Sequence, residues 1–381
     1  MAMEIRKMER LGIDMPLLGM GLMRLPMNGD VVDDELAMPM LDEMYAAGVR
    51  YFDTAYVYMN GESEKFAKRA LVERYPRDSF CVTSKLPIDL VKTPEDNERI
   101  FSTSCERMGV DYIDFYLLHG INYGGWCEAK KKGSVEFQRK LKEDGRIRFR
   151  GFSFHGSTED MKKILAEEPD WDFIQIQLNY YDYYTDNAKE LYDIVAEKNI
   201  PLIVMEPVRG GGLFDMGDDI REIFAAARPE DSNAKWAMRW VGSQPAVNVV
   251  LSGVSTIEQV RENVNFFAPL EKITDYDNTV IEKVVKTIMS RPYIWCTGCR
   301  YCSGCPQEIH IPRIFHAVNE YTRLNDAGKA MWAYSTIPDG HKADSCIECG
   351  YCVTQCPQSI NIPQELARCR EIMEKLAADR K

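Results

Sequence analysis

Four polar side chains of complementary chemistry follow short apolar runs in the first third of the sequence. Asp53 and Tyr58 follow the second of these runs, Lys85 ends the third and His119 ends the fourth. An ammonium group stabilises a neighbouring phenolate, so Lys85 is predicted to lower the pKa of Tyr58 while Asp53 keeps Lys85 charged and aimed. His119 can donate a hydrogen bond that orients a carbonyl oxygen. Together the four groups would deliver a proton to a developing alkoxide.

The apolar runs alternate with amphipathic helical stretches up to about residue 267, which is the rhythm of a parallel β/α sheet. One such stretch, 33–48, ends on Gly48, a natural helix C-cap. The eight runs that fit strands lie at 17–21, 51–55, 80–86, 112–119, 147–155, 173–179, 201–207 and 247–253. Eight repeats indicate a closed (β/α)8 TIM barrel, in which the strand ends converge on one mouth and carry the chemistry.

Eight of the twelve cysteines crowd into the C-terminal part of the chain, in two runs that each end in Cys-Pro. The runs are Cys296-x2-Cys299-x2-Cys302-x2-Cys305-Pro306 and Cys346-x2-Cys349-x2-Cys352-x3-Cys356-Pro357. Cysteines at every third position can point three thiolates at one iron-sulfur cube, while the proline turns the chain so that the fourth serves the other cube. The alternative is two structural zinc sites, which normally use well-separated cysteine pairs without a terminal Cys-Pro. A disulfide framework is not expected in a large chain without an export signal.

The paired runs resemble those of the bacterial two-cluster ferredoxins. That resemblance implies two 4Fe-4S clusters, one held by Cys296, Cys299, Cys302 and Cys356 and the other by Cys346, Cys349, Cys352 and Cys305. The first run departs from the usual spacing, with two residues rather than three before its last cysteine. A helical stretch separates the runs, which indicates the helix-rich type of ferredoxin. The four outlying cysteines, among them Cys81 in a strand and Cys105 in a helix, are interpreted as small apolar residues.

The sequence therefore predicts an α/β fold of two domains. Residues 1–270 form the (β/α)8 TIM barrel, and residues 271–381 form a connector helix followed by a small helix-rich ferredoxin-like iron-sulfur domain. The length of 381 residues fits this division, because a barrel takes about 250 residues.

Residues 1 to about 267 resemble the aldo-keto reductase superfamily, and the resemblance rests on Asp53, Tyr58, Lys85 and His119 at their strand ends. It implies that Tyr58 is the general acid, that Lys85 and Asp53 tune it, and that His119 orients the substrate. Taken singly, Asp53 could instead be a strand-end cap and His119 a hydrogen-bonded histidine of the barrel. Four such residues in register favour the catalytic interpretation.

The same resemblance implies a nicotinamide nucleotide bound across the barrel mouth without a GxGxxG loop. Ser153 and Gln177 would bind the carboxamide. The loops 208–212 and 252–255 would lie around the pyrophosphate, although the glycines of the first are also those of an ordinary flexible connection. The implied contact residues are Met23, Arg24, Ser153, Gln177, Met205, Pro207, Val208, Gly210, Gly211, Ser255, Gln259, Glu262 and Asn263.

Four positions depart from the pattern of that superfamily. Many members have Lys and Arg where this chain has Gly253 and Gln259, and those cations grip the 2′-phosphate of NADP. Some members with Ser and Gln still use NADP, so NADP(H) is favoured and NAD(H) stays open. Met205 replaces the aromatic residue that often stacks on the nicotinamide, and Phe154 replaces the asparagine that often follows the serine.

Charge and hydropathy exclude several classes of function. The formal charge of −12 argues against nucleic acid and against an anionic membrane surface as partners. The sequence holds no run of about 18 apolar residues and begins with no secretory signal, so we expect a cytoplasmic protein.

The favoured function is an NAD(P)H-dependent oxidoreductase that interconverts a small carbonyl compound and an alcohol. Two alternatives remain open: an iron-sulfur reductase that takes electrons from a ferredoxin-type partner for a radical reduction, and a redox-sensing nucleotide-binding protein. No flavin motif is visible to split a hydride pair into the single electrons that clusters carry. The loop at 121–133, with Trp126, is either a substrate wall or an ordinary helix start.

Overall fold

The computed structural model describes residues 3–296 and 298–379 and divides them into two compact units. The barrel unit holds the described residues up to Arg209 together with Ala234–Thr274. The C-terminal unit holds Gly210–Asn233 and the described residues from Asp275 onward. The predicted division at residue 270 lacks the excursion at 210–233, which leaves the barrel after its seventh strand and joins the C-terminal unit.

Eight of the strands close into a parallel barrel. In chain order the strands are β1 (Ile5–Met8), β2 (Ile13–Pro16), β3 (Leu18–Gly21), β4 (Met27–Asn28), β5 (Val31–Val32), β6 (Tyr51–Asp53), β7 (Cys81–Pro87), β8 (Ile113–Ile121), β9 (Ile147–Phe154), β10 (Phe173–Gln177), β11 (Leu202–Met205) and β12 (Val247–Gly253). The barrel runs β3-β6-β7-β8-β9-β10-β11-β12 and closes on itself. Each predicted run falls on one of these strands, so the predicted (β/α)8 fold is confirmed.

Aromatic side chains fill the end of the barrel at which the strands begin. Tyr51 and Phe173 pack edge-on against Phe115, with ring centroids 4.9 and 5.0 Å apart. Such pairs add about 0.5–1.5 kcal/mol each beyond the burial of their area. The hairpin of β1 and β2 closes this end with the buried side chains of Met8 and Met15. This end of the barrel is thus closed by aromatic and apolar side chains.

The helices surround the barrel and build the C-terminal unit. They are α1 (Asp34–Ala46), α2 (Glu62–Ala67), α3 (Glu95–Met108), α4 (Tyr123–Lys131), α5 (Ser134–Glu143), α6 (Thr158–Glu167), α7 (Tyr180–Thr185), α8 (Ala188–Glu197), α9 (Asp218–Ala227), α10 (Asn233–Gly242), α11 (Ile257–Phe267), α12 (Asp275–Met289), α13 (Ile311–Leu324), α14 (Ala327–Ser335), α15 (Tyr351–Gln355) and α16 (Ile362–Ala378). Polar side chains fix several starts: Asp33 caps α1, and Ser157 with Asp160 forms a capping box at α6.

The C-terminal unit ties the excursion to the helix that follows the barrel. Arg228, just after α9, donates from Nε to Oδ1 of the fully buried Asp277 on α12 at 2.8 Å. Arg291 donates to Asp219 Oδ1 and to the Met216 carbonyl, both at 2.6 Å. The predicted connector helix, α12, is thus packed into this unit rather than free.

Helices α13 and α16 form the apolar core of the C-terminal unit. Ile314, Phe315 and Leu366 are buried in it, and so is Cys369, as its interpretation as an apolar residue predicts. None of the helices in the described part of the chain is both long and apolar enough to cross a membrane.

Candidate active site and cluster cavities

The centre of the barrel site is a buried ion pair between β6 and β7. Lys85 donates from Nζ to Asp53 Oδ2 and to the Thr54 carbonyl, each at 2.7 Å. The side chains of Lys85 and Asp53 are 0% and 5% exposed. A pair removed this far from water persists only when each charge is compensated, so Asp53 fixes both the charge and the direction of Lys85.

Tyr58 and His119 stand beside this pair. The Lys85 Nζ atom lies 4.6 Å from the centroid of the Tyr58 ring. The Tyr58 and His119 rings meet edge to face, with centroids 5.8 Å apart. The structure therefore brings together all four residues that the sequence singles out, although they come from three separate stretches of chain.

The pKa of Tyr58 departs from the predicted direction. Burial raises it above the ordinary value, and the Lys85 ammonium lowers it by its charge and by a hydrogen bond, with burial prevailing. For Lys85, burial lowers the pKa, but the charges of Asp53 and Tyr58 outweigh burial and raise it. The expected net lowering at Tyr58 is not what the structure gives. Instead the phenol keeps its proton at neutral pH and Lys85 keeps its charge.

His119 is an uncharged imidazole in this site. Burial, with smaller contributions from the charges of Lys85 and His155, lowers the pKa of His119 to about 3. The pKa of Asp53 is raised, because burial raises it by more than Lys85 lowers it. A neutral imidazole beside a phenol can donate one hydrogen bond to a carbonyl oxygen without adding a charge.

The loop that carries Tyr58 is held in an unusual backbone conformation. Met59 and Asn60 both have left-handed backbones, with φ of 50° and 55°, which costs on the order of 1 kcal/mol each. At Gly61, with φ of 86°, a Cβ atom would lie 2.5 Å from the guanidinium carbon of Arg107. Arg107 in turn donates to the buried Glu64 at 3.0 Å. This network fixes the position of the phenol.

Two glutamines on β10, Gln175 and Gln177, face the inside of the barrel, and they differ in their hydrogen bonds. Gln177, the residue predicted to bind a carboxamide, donates from Nε2 to Asp182 Oδ2 at 2.5 Å. Gln175 pairs in register with Ser153, and its buried Oε1 has no hydrogen-bond partner among the described residues. Ser153 Oγ accepts from the Gly120 N–H at 2.9 Å. The acceptor left over beside Ser153 therefore belongs to Gln175, which sequence reasoning missed.

Asp182 organises a polar cluster after β10. Its carboxylate accepts from Asn179 Nδ2 at 2.7 Å and from Arg209 Nε at 2.8 Å, in addition to Gln177. Asn179 also donates to the Glu206 carbonyl at 3.3 Å. These bonds tie the end of β10 to the segment that follows β11.

The predicted adenosine segment and the loop after β3 meet at one edge of the mouth. Ser255 donates from Oγ to the Arg24 carbonyl at 2.7 Å, and Gln259 accepts from the Ser255 N–H at 2.8 Å. Asn263 donates to Ser252 Oγ at 2.7 Å in a buried site. Among the residues the structure describes, the exposed Arg24 side chain forms no ion pair.

The other predicted nucleotide contacts lie on several elements. Met23 is exposed beside Arg24, and Glu262 lies on α11. Met205 ends β11, Pro207 and Val208 follow it in the barrel unit, and Gly210 and Gly211 belong to the C-terminal unit. Gly210 and Gly211 are exposed and have φ of 67° and 105°, conformations that glycine adopts readily. The predicted pyrophosphate loop is thus divided between the two units.

The segment at 121–133 contains an ordinary helix start, and Trp126 in it is buried. Asn122 caps α4 by accepting from the Gly125 N–H at 2.8 Å. Trp126 is 1% exposed, packs edge-on against Trp171 and donates to Glu167 Oε2 at 2.9 Å. A buried indole with a satisfied N–H presents nothing to a substrate.

The eight clustered cysteines line two separate cavities. Cavity A is lined by Cys296, Cys299, Cys302 and Cys356. Cavity B is lined by Cys305, Cys346, Cys349 and Cys352. These are the two ligand sets that the ferredoxin pattern implies, including the exchange of the fourth cysteine between the runs.

The cysteine thiols of each cavity also affect one another's pKa. Burial raises the pKa of Cys302, and the charges of Cys296, Cys299 and Cys356 raise it further. Within the described residues, no three cysteine, histidine or carboxylate groups come close enough to hold one metal ion.

The barrel fold and its site define this protein as an oxidoreductase. Residues 17–286 match the model of the aldo/keto reductase family, and residues 295–361 match a 4Fe-4S dicluster domain. The chain belongs to the aldo/keto reductase family and carries a 4Fe-4S domain C-terminal to the barrel, as its sequence predicts.

Curated relatives and solved structures match about two thirds to three quarters of the chain. An uncharacterized oxidoreductase of Bacillus subtilis is 25% identical over 69% of this chain and 90% of its own length. L-galactose dehydrogenase of Arabidopsis thaliana is 24% identical (73% and 92%), and NADH-specific methylglyoxal reductase of Escherichia coli is 24% identical (68% and 90%). The holo form of an aldo-keto reductase from Bacillus halodurans superposes with a TM-score of 0.62 at 23% identity, covering 74% of this chain and 96% of that one. An aldo-keto reductase from Klebsiella pneumoniae in complex with NADPH gives 0.61 at 22% identity (75% and 96%).

Proposed function

We propose that this protein is an NAD(P)H-dependent oxidoreductase that interconverts a small carbonyl compound and an alcohol at Tyr58, and that it carries two 4Fe-4S clusters. The observation that supports the reaction is the arrangement of Asp53, Lys85, Tyr58 and His119. A fixed ammonium lies against a protonated phenol, and a neutral imidazole lies beside both.

The proton chemistry follows from these four groups. When bound, the dihydronicotinamide supplies a hydride to the carbonyl carbon, and the C=O π electrons move to oxygen. Tyr58 gives its Oη proton to that oxygen, which completes the alcohol and leaves a phenolate. Lys85 lowers the cost of the phenolate, and His119 positions the oxygen by a hydrogen bond. The reverse reaction takes the same proton back to Tyr58.

Residues for the nucleotide surround the same mouth. Ser153 and Gln175 offer the side-chain groups for a carboxamide, and Arg24 offers an unpaired cation at the edge where Ser255 and Gln259 lie. A guanidinium suits a 2′-phosphate, which favours NADP(H). The relatives use both forms by name: the Escherichia coli reductase is NADH-specific, and the Klebsiella pneumoniae structure contains NADPH.

Two clusters suit the two cavities. Each cavity brings four cysteines to one space, and thiolates are the ligands of 4Fe-4S cubes. The cube held in cavity A is called cluster A, and the cube held in cavity B is called cluster B. Such a cube exchanges single electrons. Carbonyl reduction with a hydride needs none, so the barrel reaction is expected to proceed without the clusters.

Anaerobic purification followed by iron and sulfide analysis tests the cluster count. About eight irons and eight sulfides per chain are expected. A panel of aldehydes and ketones, followed by oxidation of NADPH and NADH, tests the reaction. Turnover by the protein after chelation of its iron supports the hydride route, and absence of turnover with every carbonyl tested contradicts it.

An electron-transfer reductase is the second candidate, because one cysteine of each cavity is open to solvent. Cys299 and Cys349 are both exposed, so a one-electron carrier of the ferredoxin type could approach either cube. Reduction of a substrate by dithionite-reduced viologen, lost in Cys349→Ala, would support this function. Unchanged activity of cluster-free protein would rule it out.

A further inference from the structure

The two cysteine cavities differ in the sign of the charge at their walls. Among the described residues, Arg300 is the one charged residue that lines cavity A, and Glu348 is the one that lines cavity B. Each lies directly between two cysteines of its own cavity. Arg300 is thus bonded in the chain to Cys299 of cavity A, and Glu348 to Cys349 of cavity B.

The backbone shows that both charged residues occupy positions that suit glycine. Arg300 and Glu348 have left-handed backbones, with φ of 64° and 53°. The equivalent position to Arg300 in the second run is Gly350, with φ of 77°, and the equivalent to Glu348 in the first run is Gly298, with φ of 68°. A left-handed backbone costs a residue with a Cβ atom on the order of 1 kcal/mol of conformational free energy, and glycine avoids this cost. Each run thus carries a charged residue at a conformational cost that the other run avoids.

The surroundings of cavity A add a second cation. Arg323 on α13 is 6% exposed. Its guanidinium lies 3.6 Å from the ring centroid of Tyr293 and 5.4 Å from that of Trp295, the residue that precedes Cys296. Its Nε and Nη2 atoms have no hydrogen-bond partner, and it forms no ion pair within the described residues. Phe315, which lines cavity A, lies eight residues earlier, or about 12 Å along the helix.

Two further acidic residues lie close in sequence to the cysteines of cavity B. Glu308 follows Cys305 by three residues, and Asp344 precedes Cys346 by two. Both are exposed. The cation in this stretch, Lys342, is paired with Asp339 at 2.6 Å. Glu308 and Asp344, near these cysteines in the sequence, therefore carry the same sign of charge as Glu348.

We propose that cluster A has the higher reduction potential, so that an electron that enters the module comes to rest in cavity A. A cube gains negative charge on reduction, so a nearby cation favours its reduced form and a nearby anion opposes it. This inference rests on the proposed function in one respect, the presence of two clusters.

The size of the effect is set by screening. Arg300 and Glu348 are exposed, so water weakens their fields, whereas the buried Arg323 is screened less. We expect each charge to change the one-electron equilibrium of its own cube by up to about tenfold, which corresponds to about 59 mV.

A redox titration of the anaerobically purified full chain, followed by electron paramagnetic resonance, tests the assignment. We expect two potentials in the natural protein. Arg300→Gln lowers only the higher one, Arg323→Met lowers the same one, and Glu348→Gln raises only the lower one. Lys375→Gln, which removes an exposed cation near the end of α16, is the matched control and moves neither.

The outcomes separate the two proposals. Fewer than two clusters by iron and sulfide analysis contradicts the proposed cluster count. With two clusters present, a shift of the lower potential in Arg300→Gln, or unchanged potentials in Arg300→Gln and Glu348→Gln, overturns the assignment of cluster A as the electron sink.

Discussion

Lys85 Nζ lies 2.7 Å from Asp53 Oδ2, and neither side chain has appreciable contact with water. The pair joins β6 to β7 and sets the charge against which the Tyr58 ring rests. Its Asp53 Oδ1 atom has no hydrogen-bond partner among the described residues, so Lys85 carries most of the compensation for that carboxylate. The stability of the barrel and the chemistry of its mouth therefore depend on the same contact.

Removal of one member of this pair should damage both stability and activity. Lys85→Met leaves the Asp53 carboxylate buried without its cation, which costs about 3–5 kcal/mol of unfolding free energy. The double variant Asp53→Asn/Lys85→Met removes both charges and should regain most of that stability while staying inactive. Chemical unfolding and NADPH oxidation measure the two effects.

A surface pair supplies the control for that measurement. Lys142 and Asp172 form an ion pair at 2.6 Å with the lysine 40% exposed, so Lys142→Met should cost at most about 1 kcal/mol and leave turnover unchanged. Equal losses of stability in Lys85→Met and Lys142→Met would show that the buried pair has no special role.

The pH profile of carbonyl reduction should be flat near neutrality. The pKa of His119 is lowered to about 3, so this imidazole stays neutral as pH falls through its ordinary range. The pKa of Tyr58 is raised, so the acid is lost only as pH rises above about 10, and reduction declines there. Rates of kcat/KM between about pH 5.5 and 9 check this. A limb near pH 6.5 that disappears in His119→Asn would contradict the assignment of a neutral histidine.

Gln175, rather than Gln177, should contribute to nucleotide affinity. Gln175→Leu removes the buried amide beside Ser153 and should raise the Kd of the nucleotide about tenfold, the value of one or two hydrogen bonds. Gln177→Leu loses a contact with Asp182 instead and should change the Kd less than about threefold. Fluorescence titration with NADPH measures both. The reverse order of effects would restore the carboxamide role to Gln177.

Arg24 should select for the 2′-phosphate. In Arg24→Gln we expect the KM for NADPH to rise about tenfold, because a charge-assisted hydrogen bond is lost, while the KM for NADH stays the same. Lys65→Gln removes another exposed cation of the barrel unit and should affect neither cofactor. Equal changes for both cofactors in Arg24→Gln would assign the arginine to some other contact.

Much of the fold was predictable because it repeats. The eight apolar runs, each followed by helix, indicate a closed barrel without any long-range information, and strand ends then place Asp53, Tyr58, Lys85 and His119 at one mouth. The two cysteine runs are equally local, and cavities A and B contain the predicted sets of four.

The rest depended on contacts between distant residues. Gln175 and Gln177 lie two residues apart on the same face of β10, so alternation cannot distinguish them. The structure does so by the bond from Gln177 Nε2 to Asp182 and by the buried Oε1 of Gln175, which has no hydrogen-bond partner among the described residues. The burial of Trp126 depends on its ring contact with Trp171 and its hydrogen bond to Glu167, both of which are distant in the sequence. The excursion at 210–233 has no signature of its own, because the residues that anchor it, such as Asp277, come about fifty positions later.

The direction of the Tyr58 pKa was mispredicted for a related reason. The attraction of Lys85 follows from the identity of the two residues, whereas the opposing effect of burial depends on how closely the loop at 58–61 is packed. The effect of a neighbouring charge on a pKa can be inferred from the two residue types in a sequence, whereas the effect of burial cannot.

Turnover by Tyr58→Phe is the most direct test of the proposed reaction. Phenylalanine keeps the ring against Lys85 but has no proton to give, so carbonyl-dependent NADPH oxidation should fall by about 10²- to 10⁴-fold while the Kd for NADPH is unchanged. Tyr56→Phe, two residues earlier in the same loop, should retain full activity. If Tyr58→Phe turned over as fast as the natural protein with bound NADPH, the proton would come from elsewhere and the proposed reaction would be wrong.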